Sequence, residues 1–341
     1  MNHIIAELAW GHDGSVDQAI NLTKAAKEAG ADSISIHVTH LPSYIVPHYG
    51  SGKGRVSAGR ESLDIYRYLD SINLSNEEWC HVADVAKTIG LQLCVMPNDI
   101  PSLEFSNSEL DPAYYVVSPS CFLETEFLHQ IAQKQRPTIL RIGGAYLGEI
   151  ESVINIFRTY HNNEIILLHG FQNYPTELVE TDLAVLKTLK HIFGVEVGLA
   201  DHIDGDSDLA LVIPAVAVAF GTTYIEKHLT LDRSKKSEDF ESALNPHEFS
   251  KMVDYIRAAE VATGNATFRE LGAATISYRK IAQKCIVASK DILKDELFSK
   301  DNVAFKRSDE GLSVKYVDRV LGRRSRFDLS ENDPINNDSI K

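Results

Sequence analysis

Short apolar runs recur along the first two-thirds of the chain, at residues 4–8, 33–38, 91–95, 114–117, 138–142, 164–169, 195–199 and 223–225. Each is too short for a helix and is bounded by polar or turn-forming residues, so each reads as a buried strand. Between most of them apolar residues return at helical spacing. The turn Asp13-Gly14 leads into an amphipathic helix predicted over 16–29, which Gly30 ends. Ser75-Asn-Glu-Glu78 is a capping box that opens a helix running to Ile89. Eight strands alternating with helices predict an α/β protein built as a parallel (β/α)8 TIM barrel rather than an open sheet. A dinucleotide-binding open sheet lacks its fingerprint, because no GxGxxG follows the first strand. After Gly264 the rhythm changes. Residues 268–280 read as a linking arm, and a compact module of short strands and turns begins at Cys285. Its sixty or so residues make a small core, so it is expected to pack against another surface, that of a second subunit being one candidate. The tail 336–341 is polar and expected to fray.

Two apolar runs end abruptly in chemistry-bearing residues, Gly198-Leu-Ala-Asp-His202 and Tyr224-Ile-Glu-Lys-His228. In a (β/α)8 barrel, consecutive strand ends line the active site. Imidazole is the commonest protein metal ligand, so His202 and His228 are candidate ligands of a divalent metal. The plain alternative is a pair of histidines satisfied beneath a loop. Acids beside both at equivalent strand ends favour the metal.

Composition narrows the classes. The chain has 341 residues and a formal net charge of −14, which argues against nonspecific nucleic-acid binding. Any anionic substrate would need a local basic pocket. No apolar run is long enough to span a membrane. The start lacks the basic and long apolar stretches of a signal peptide. Four scattered cysteines with no CxxC spacing read as reduced thiols, so a cytoplasmic location is expected.

A series of motifs, in order along nearly the whole chain, resembles the sialic acid synthase family, the synthases of N-acetylneuraminate, legionaminate and pseudaminate. Ile5-Ala-Glu-Leu-Ala-Trp-Gly-His-Asp-Gly14 resembles the opening motif and Leu167-Leu-His-Gly-Phe-Gln-Asn-Tyr-Pro-Thr176 the strand-six motif. Gly198-Leu-Ala-Asp-His202 and Ile225-Glu-Lys-His-Leu-Thr230 resemble the two metal motifs. Ser237-Glu-Asp-Phe-Glu-Ser242 resembles the Gly-Pro-Asp loop, and the C-terminal module resembles an antifreeze-like (SAF) domain. The resemblance implies a barrel domain over 1–266, a linker over 267–282 and a SAF domain over 283–341. It implies condensation of phosphoenolpyruvate with a sugar aldehyde to give a nonulosonate-like 2-keto acid. It implies His202 and His228 as ligands of Mn2+ or Mg2+, since two protein ligands suit these better than zinc. It makes Glu7 an acid for proton transfer or water orientation, Asp239 an acid near the metal and Tyr174 a sugar contact. Arg307 matches an arginine that reaches a partner subunit's barrel, which implies a domain-swapped homodimer. The plain alternatives are an ion pair for Glu7, which its strand-end placement disfavours, a turn-packing aromatic for Tyr174 and a solvated face for Arg307. His12 and His169 are placed only near the site.

The departures from the family cluster at its donor pocket, where lysines and hydroxyls hold the phosphoenolpyruvate phosphate and carboxylate. Ser35 and His37 stand at the strand-two lysine and glutamine. Val95-Met96-Pro97 replaces Ser-Thr-Pro, Tyr115 the strand-four lysine, Pro119-Ser120 the Gly-Glu after Ser118, Arg141-Ile142-Gly143 the Ser-Thr-Gly, and Ala200 a serine. Ser118 remains, and Gln172 stands for an asparagine. Losing several charge-assisted bonds costs on the order of 5 kcal/mol, about four decades of affinity. Arg141 has the planar fork to replace them, although pairing with a buried acid is an equal alternative. Lys53 and Arg55 lie in a glycine-rich insertion that either covers the site or is solvated. The expected partners are therefore a small anionic donor and a sugar aldehyde. The alternatives are a different carboxylate donor, lyase-direction chemistry, or a non-catalytic sugar-binding barrel.

Overall fold

The computed structural model describes residues 1–47, 64–162, 164–170, 175–265, 267 and 270–341. It divides into two compact units, 1–265 and 266–341.

The first unit is a closed parallel barrel of eight strands in sequence order. They are β1 (His3–Ala9), β2 (Ser33–Val38), β3 (Gln92–Pro97), β4 (Tyr114–Val117), β5 (Thr138–Arg141), β6 (Ile165–His169), β7 (Glu196–Asp201) and β8 (Tyr224–His228). Pairing of β1 with β8 closes the ring and sets Glu7 opposite His228. A helix follows each strand before the next begins. The predicted first helix is Val16–Glu28, its N-terminus capped by the Ser15 side chain. The Ser75/Glu78 capping box holds both of its reciprocal bonds and opens Asn76–Thr88.

Alternation along the strands sorts residues into two layers. Leu8, Ile34, Ile36, Val95 and Ile225 face outward and pack beneath one set of helices. Tyr115, Val117, Leu140, Leu167, Val197 and Leu199 do so beneath another. Ile5, Cys94, Met96, Val116, Ile139, Ile166, Leu168 and Ala200 fill the barrel interior. Gly198 sits where two strands approach closely, since a Cβ there would lie 2.4 Å from the Tyr224 carbonyl oxygen and 2.5 Å from the Leu168 side chain.

This sorting corrects one reading of the donor pocket. Tyr115 was set among the residues that replace the pocket's anion ligands, but it is fully buried in the outer layer against the helices. On β4 it is Val116 that points inward. Ser35, Met96, Arg141 and Ala200 do belong to the interior.

In the second unit, β9 (Lys284–Ala288) pairs antiparallel with β10 (Val303–Arg307). Ile286, Ala288, Ile292, Phe298, Val320, Leu329 and Ile335 form its small core. Part of the segment read as a linking arm is a helix, Ala273–Ala282. Its apolar residues Ile276, Tyr278 and Ile281 are exposed within this unit, so the alternation that marks a buried face gave no helical cue. Among the described residues no helix is long and apolar enough to cross a membrane.

Candidate active site at the barrel mouth

Glu7, Ser35, His37, Arg141 and Glu226 form one polar cluster inside the C-terminal end of the barrel. The Arg141 guanidinium sits at its centre. Its Nη2 donates to Glu226 Oε2 at 2.8 Å and also to Glu7 Oε2. Ser35 Oγ lies 3.4 Å from the same nitrogen, while Nη1 approaches His37 Nε2 at 3.5 Å and Met96 Sδ at 3.8 Å. Glu7 Oε1 accepts the Ala9 backbone N–H at 2.8 Å and lies 3.3 Å from His37 Nε2. Both carboxylates are buried, and so is Arg141.

The two carboxyls are driven in opposite directions. Burial alone would raise the Glu7 pKa, but the Arg141 guanidinium and His37 outweigh it and hold the carboxyl well below the usual range. A carboxylate held so low stays ionised and is a weak base. Glu226 is pushed up to about 7 by burial and by the charge of Glu7, against the pull of Arg141. Its Oε1 is buried without a hydrogen-bond partner. At neutral pH this carboxyl can both hold and release a proton, which is what general acid–base work requires. The sequence reading gave Glu226 no role beyond that of an acid beside His228. The available signal was its position two residues before His228, on the same inward face of β8.

His202 follows β7 directly and His228 ends β8. Their rings face each other with centroids 5.2 Å apart. Burial lowers both, His202 well below its ordinary value and His228 to about 3, with Glu7 opposing the shift at each. Both imidazoles are therefore neutral at physiological pH and present the lone pairs a metal needs. Among the described residues no group of three or more His, Cys, Asp or Glu side chains gathers to hold a metal. The donor set fits a cation that takes two protein ligands and fills its other positions with water or substrate.

The loop after β8 is tied to these histidines. Leu244 N donates to the His228 carbonyl at 2.9 Å, and Ser242 Oγ to the His202 carbonyl at 2.8 Å. Thr176 N reaches that same His202 oxygen at 2.8 Å. Asp239 stands in this loop, half-buried and in a left-handed conformation, φ 58°. Ser118 follows β4, and its hydroxyl pairs with that of Ser120 at 2.8 Å. His12 and His169 are buried and lowered mainly by desolvation, His12 to about 4. His12 packs edge-on against Trp79, and His169 Nε2 lies 3.0 Å from the Thr181 carbonyl. Tyr174, Gln172, Lys53 and Arg55 lie outside the described residues. Arg307 is exposed at the end of β10 in the second unit.

The NeuB family model matches residues 22–268, and the SAF domain model matches 283–341. The chain belongs to the NeuB family. A pseudaminic acid synthase of Campylobacter jejuni is 33% identical over 97% of this chain and 94% of its own length. An N,N'-diacetyllegionaminic acid synthase of Legionella pneumophila is 26% identical, covering 96% of this chain and 91% of its own. The crystal structure of an N-acetylneuraminic acid synthetase from Leptospira borgpetersenii aligns with a TM-score of 0.69 at 24% identity, over 82% of this chain and 92% of that one. It shares the fold. This member of the NeuB family is a sialic-acid-synthase-like enzyme, a barrel with a C-terminal SAF domain.

Proposed function

We propose that the barrel mouth joins a three-carbon carboxylate donor, phosphoenolpyruvate or a relative of it, to a sugar aldehyde, giving a nonulosonate-like 2-keto acid; with phosphoenolpyruvate as donor, one water is taken up and inorganic phosphate leaves. The observation that carries this reading is the pairing of two neutral, facing imidazoles with a buried carboxyl poised near neutrality. The relatives named above, a pseudaminic acid synthase and an N,N'-diacetyllegionaminic acid synthase, support the aldol-type class.

A divalent cation, Mn2+ or Mg2+, held by His202 and His228 would supply Lewis-acid polarisation of the acceptor carbonyl. The remaining roles fall to the chain. Glu7, locked as an anion, orients the groups around it rather than carrying protons. Glu226 holds the proton that moves during addition to the carbonyl. Asp239 and Tyr174 contact the acceptor, and Ser118 and Gln172 the donor. Arg307 of one protomer completes the site of its partner in a homodimer.

A second reading concerns the donor. The Arg141 nitrogen that faces the interior already serves two carboxylates, so it brings little uncompensated positive charge to an incoming phosphate. That favours a donor of lower charge than phosphoenolpyruvate, or the reverse cleavage of a keto acid. Phosphate release from phosphoenolpyruvate with Mn2+ and a panel of amino-sugar aldehydes tests the first reading. Failure of all of them, with no phosphoenolpyruvate binding by calorimetry, removes this donor. Pyruvate release from a nonulosonic acid would then establish the second.

A further inference from the structure

Asp201 and Lys227 are neighbours in register across β7 and β8. Each immediately precedes a mouth histidine, and each points the other way. Leu199 and Ile225, two residues earlier on the same faces, pack outward beneath the helices. Lys227 Nζ donates to Asp201 Oδ2 at 2.6 Å and to the Ile203 carbonyl at 2.8 Å. The two side chains are 0% and 1% exposed. One ammonium thus grips the chain on both sides of His202, while the backbone that carries this ammonium continues directly into His228.

Stability alone does not account for such a pair. Two charges taken out of water lose their hydration, and well-packed apolar residues in their place are often neutral or stabilising. What the pair does provide is a fixed register between two strand ends. Strand ends are where backbone pairing stops and fraying begins, and here the ladder ends within a residue of both imidazoles. We infer that Asp201 and Lys227 are positioning residues that set the separation of His202 and His228 from behind the sheet. This rests on the reading of those histidines as ligands of a divalent cation.

The test replaces the pair with apolar residues of suitable shape, Asp201→Val with Lys227→Met, in the full-length chain. Calorimetric titration with Mn2+ alone and thermal unfolding are measured together. The expected result is a melting temperature near or above that of the wild type and an Mn2+ affinity at least tenfold weaker, about 1.4 kcal/mol. A purely structural pair predicts the reverse, lower stability with unchanged affinity, and that result overturns the inference. Val153→Ala, in the helix after β5, serves as a destabilised control and is expected to keep the wild-type affinity. Equal weakening in this control would mean that general loosening suffices, and would also overturn the inference. Should the apolar double variant fail to fold, Asp201→Asn with Lys227→Met carries the same expectation for Mn2+ affinity, read against Val153→Ala as the destabilised control. A wild-type chain that binds no Mn2+ overturns the metal reading itself, and the positioning role with it. Binding by the wild type that the variants match overturns the positioning role alone.

Discussion

Arg141 Nη2 donates to Glu226 Oε2 at 2.8 Å inside the barrel, where both side chains are buried. The same nitrogen serves Glu7. One guanidinium therefore separates two carboxyls that would otherwise repel each other in a medium of low polarity. Replacing Arg141 with Met should leave a buried charge without its partner. We expect a loss of roughly 3–5 kcal/mol in urea unfolding, larger than the effect of most single substitutions. A loss below 1 kcal/mol would mean that the carboxyls readily take up protons and that the clamp is not what holds them.

Gly198 opens the β7 histidine motif and leaves no room for a side chain. The Cβ of an alanine there would meet the Tyr224 backbone oxygen and Cβ, the latter at 2.7 Å, and a backbone contact cannot swing aside. Gly198→Ala should destabilise by about 1–3 kcal/mol and disturb the spacing of β7 against β8. Denaturant unfolding gives the first quantity. Mn2+ titration reads the second, because the displaced strands are those that carry the two imidazoles.

The barrel and its histidine pair were legible in the sequence because both follow from periodicity. Apolar runs of strand length recur with helical stretches between them, and His202 and His228 stand where two runs stop. The interior cluster was only partly legible. Arg141 was visible as a charged residue at a strand end, with an acid partner left open as an alternative. Its two partners lie 134 and 85 residues away in sequence, and no local pattern connects them. Glu226 was noted only as an acid beside His228, since the pair Glu-Lys in a sequence does not say which of the two side chains faces inward. In fact the two side chains face opposite sides of the sheet. Tyr115 was misplaced for the same reason. A shift of one residue in a strand moves a side chain from the pore to the helix layer.

Acid should weaken the fold through His12. Burial lowers this imidazole to about 4 from 6.5. Below pH 6.5 the unfolded chain takes up a proton there, whereas the folded chain stays neutral until about pH 4. Stability therefore falls as pH drops through that window. Between pH 6.5 and 5 the single group contributes roughly 2 kcal/mol. Other buried histidines add to the wild-type slope, so the informative measurement is a difference. Unfolding free energies of the wild type and His12→Asn, taken across this range, should converge as pH falls. Parallel curves would show that this imidazole titrates alike in the folded and the unfolded chain.

Removing one imidazole should empty the proposed metal site. On the reading that His202 and His228 are the two protein ligands, His202→Ala or His228→Ala leaves a single donor, and one imidazole holds Mn2+ weakly. Elemental analysis after dialysis should show metal content below about a tenth of the wild-type level in either variant, since loss of one first-sphere ligand costs more than the tenfold or greater loss typical of an outer-shell partner. Thermal unfolding in the presence of a chelator is the control, because the two variants and the metal-free wild type should then differ little. Wild-type metal content in His202→Ala would remove this histidine from the site.

A homodimer in which Arg307 acts on the partner's barrel makes a numerical prediction. Arg307→Ala and Glu7→Gln would each be nearly inactive alone, the first for want of the incoming arginine and the second for want of the locked anion. Co-expressed in equal amounts, the two chains assemble at random and half of the dimers are mixed. In a mixed dimer whose arginines cross over, one site carries both substitutions and the other carries neither. One site in four across the whole population is then intact, so activity should recover to about a quarter of the wild type by this closed two-fold exchange. An arginine that acts within its own chain gives a different outcome. Each site then keeps one substitution whichever chains pair, and the mixture stays as inactive as its parents. Sedimentation analysis of the mixture confirms that mixed dimers form, and titrating the ratio of the two chains should move the recovered activity along the product of their mole fractions.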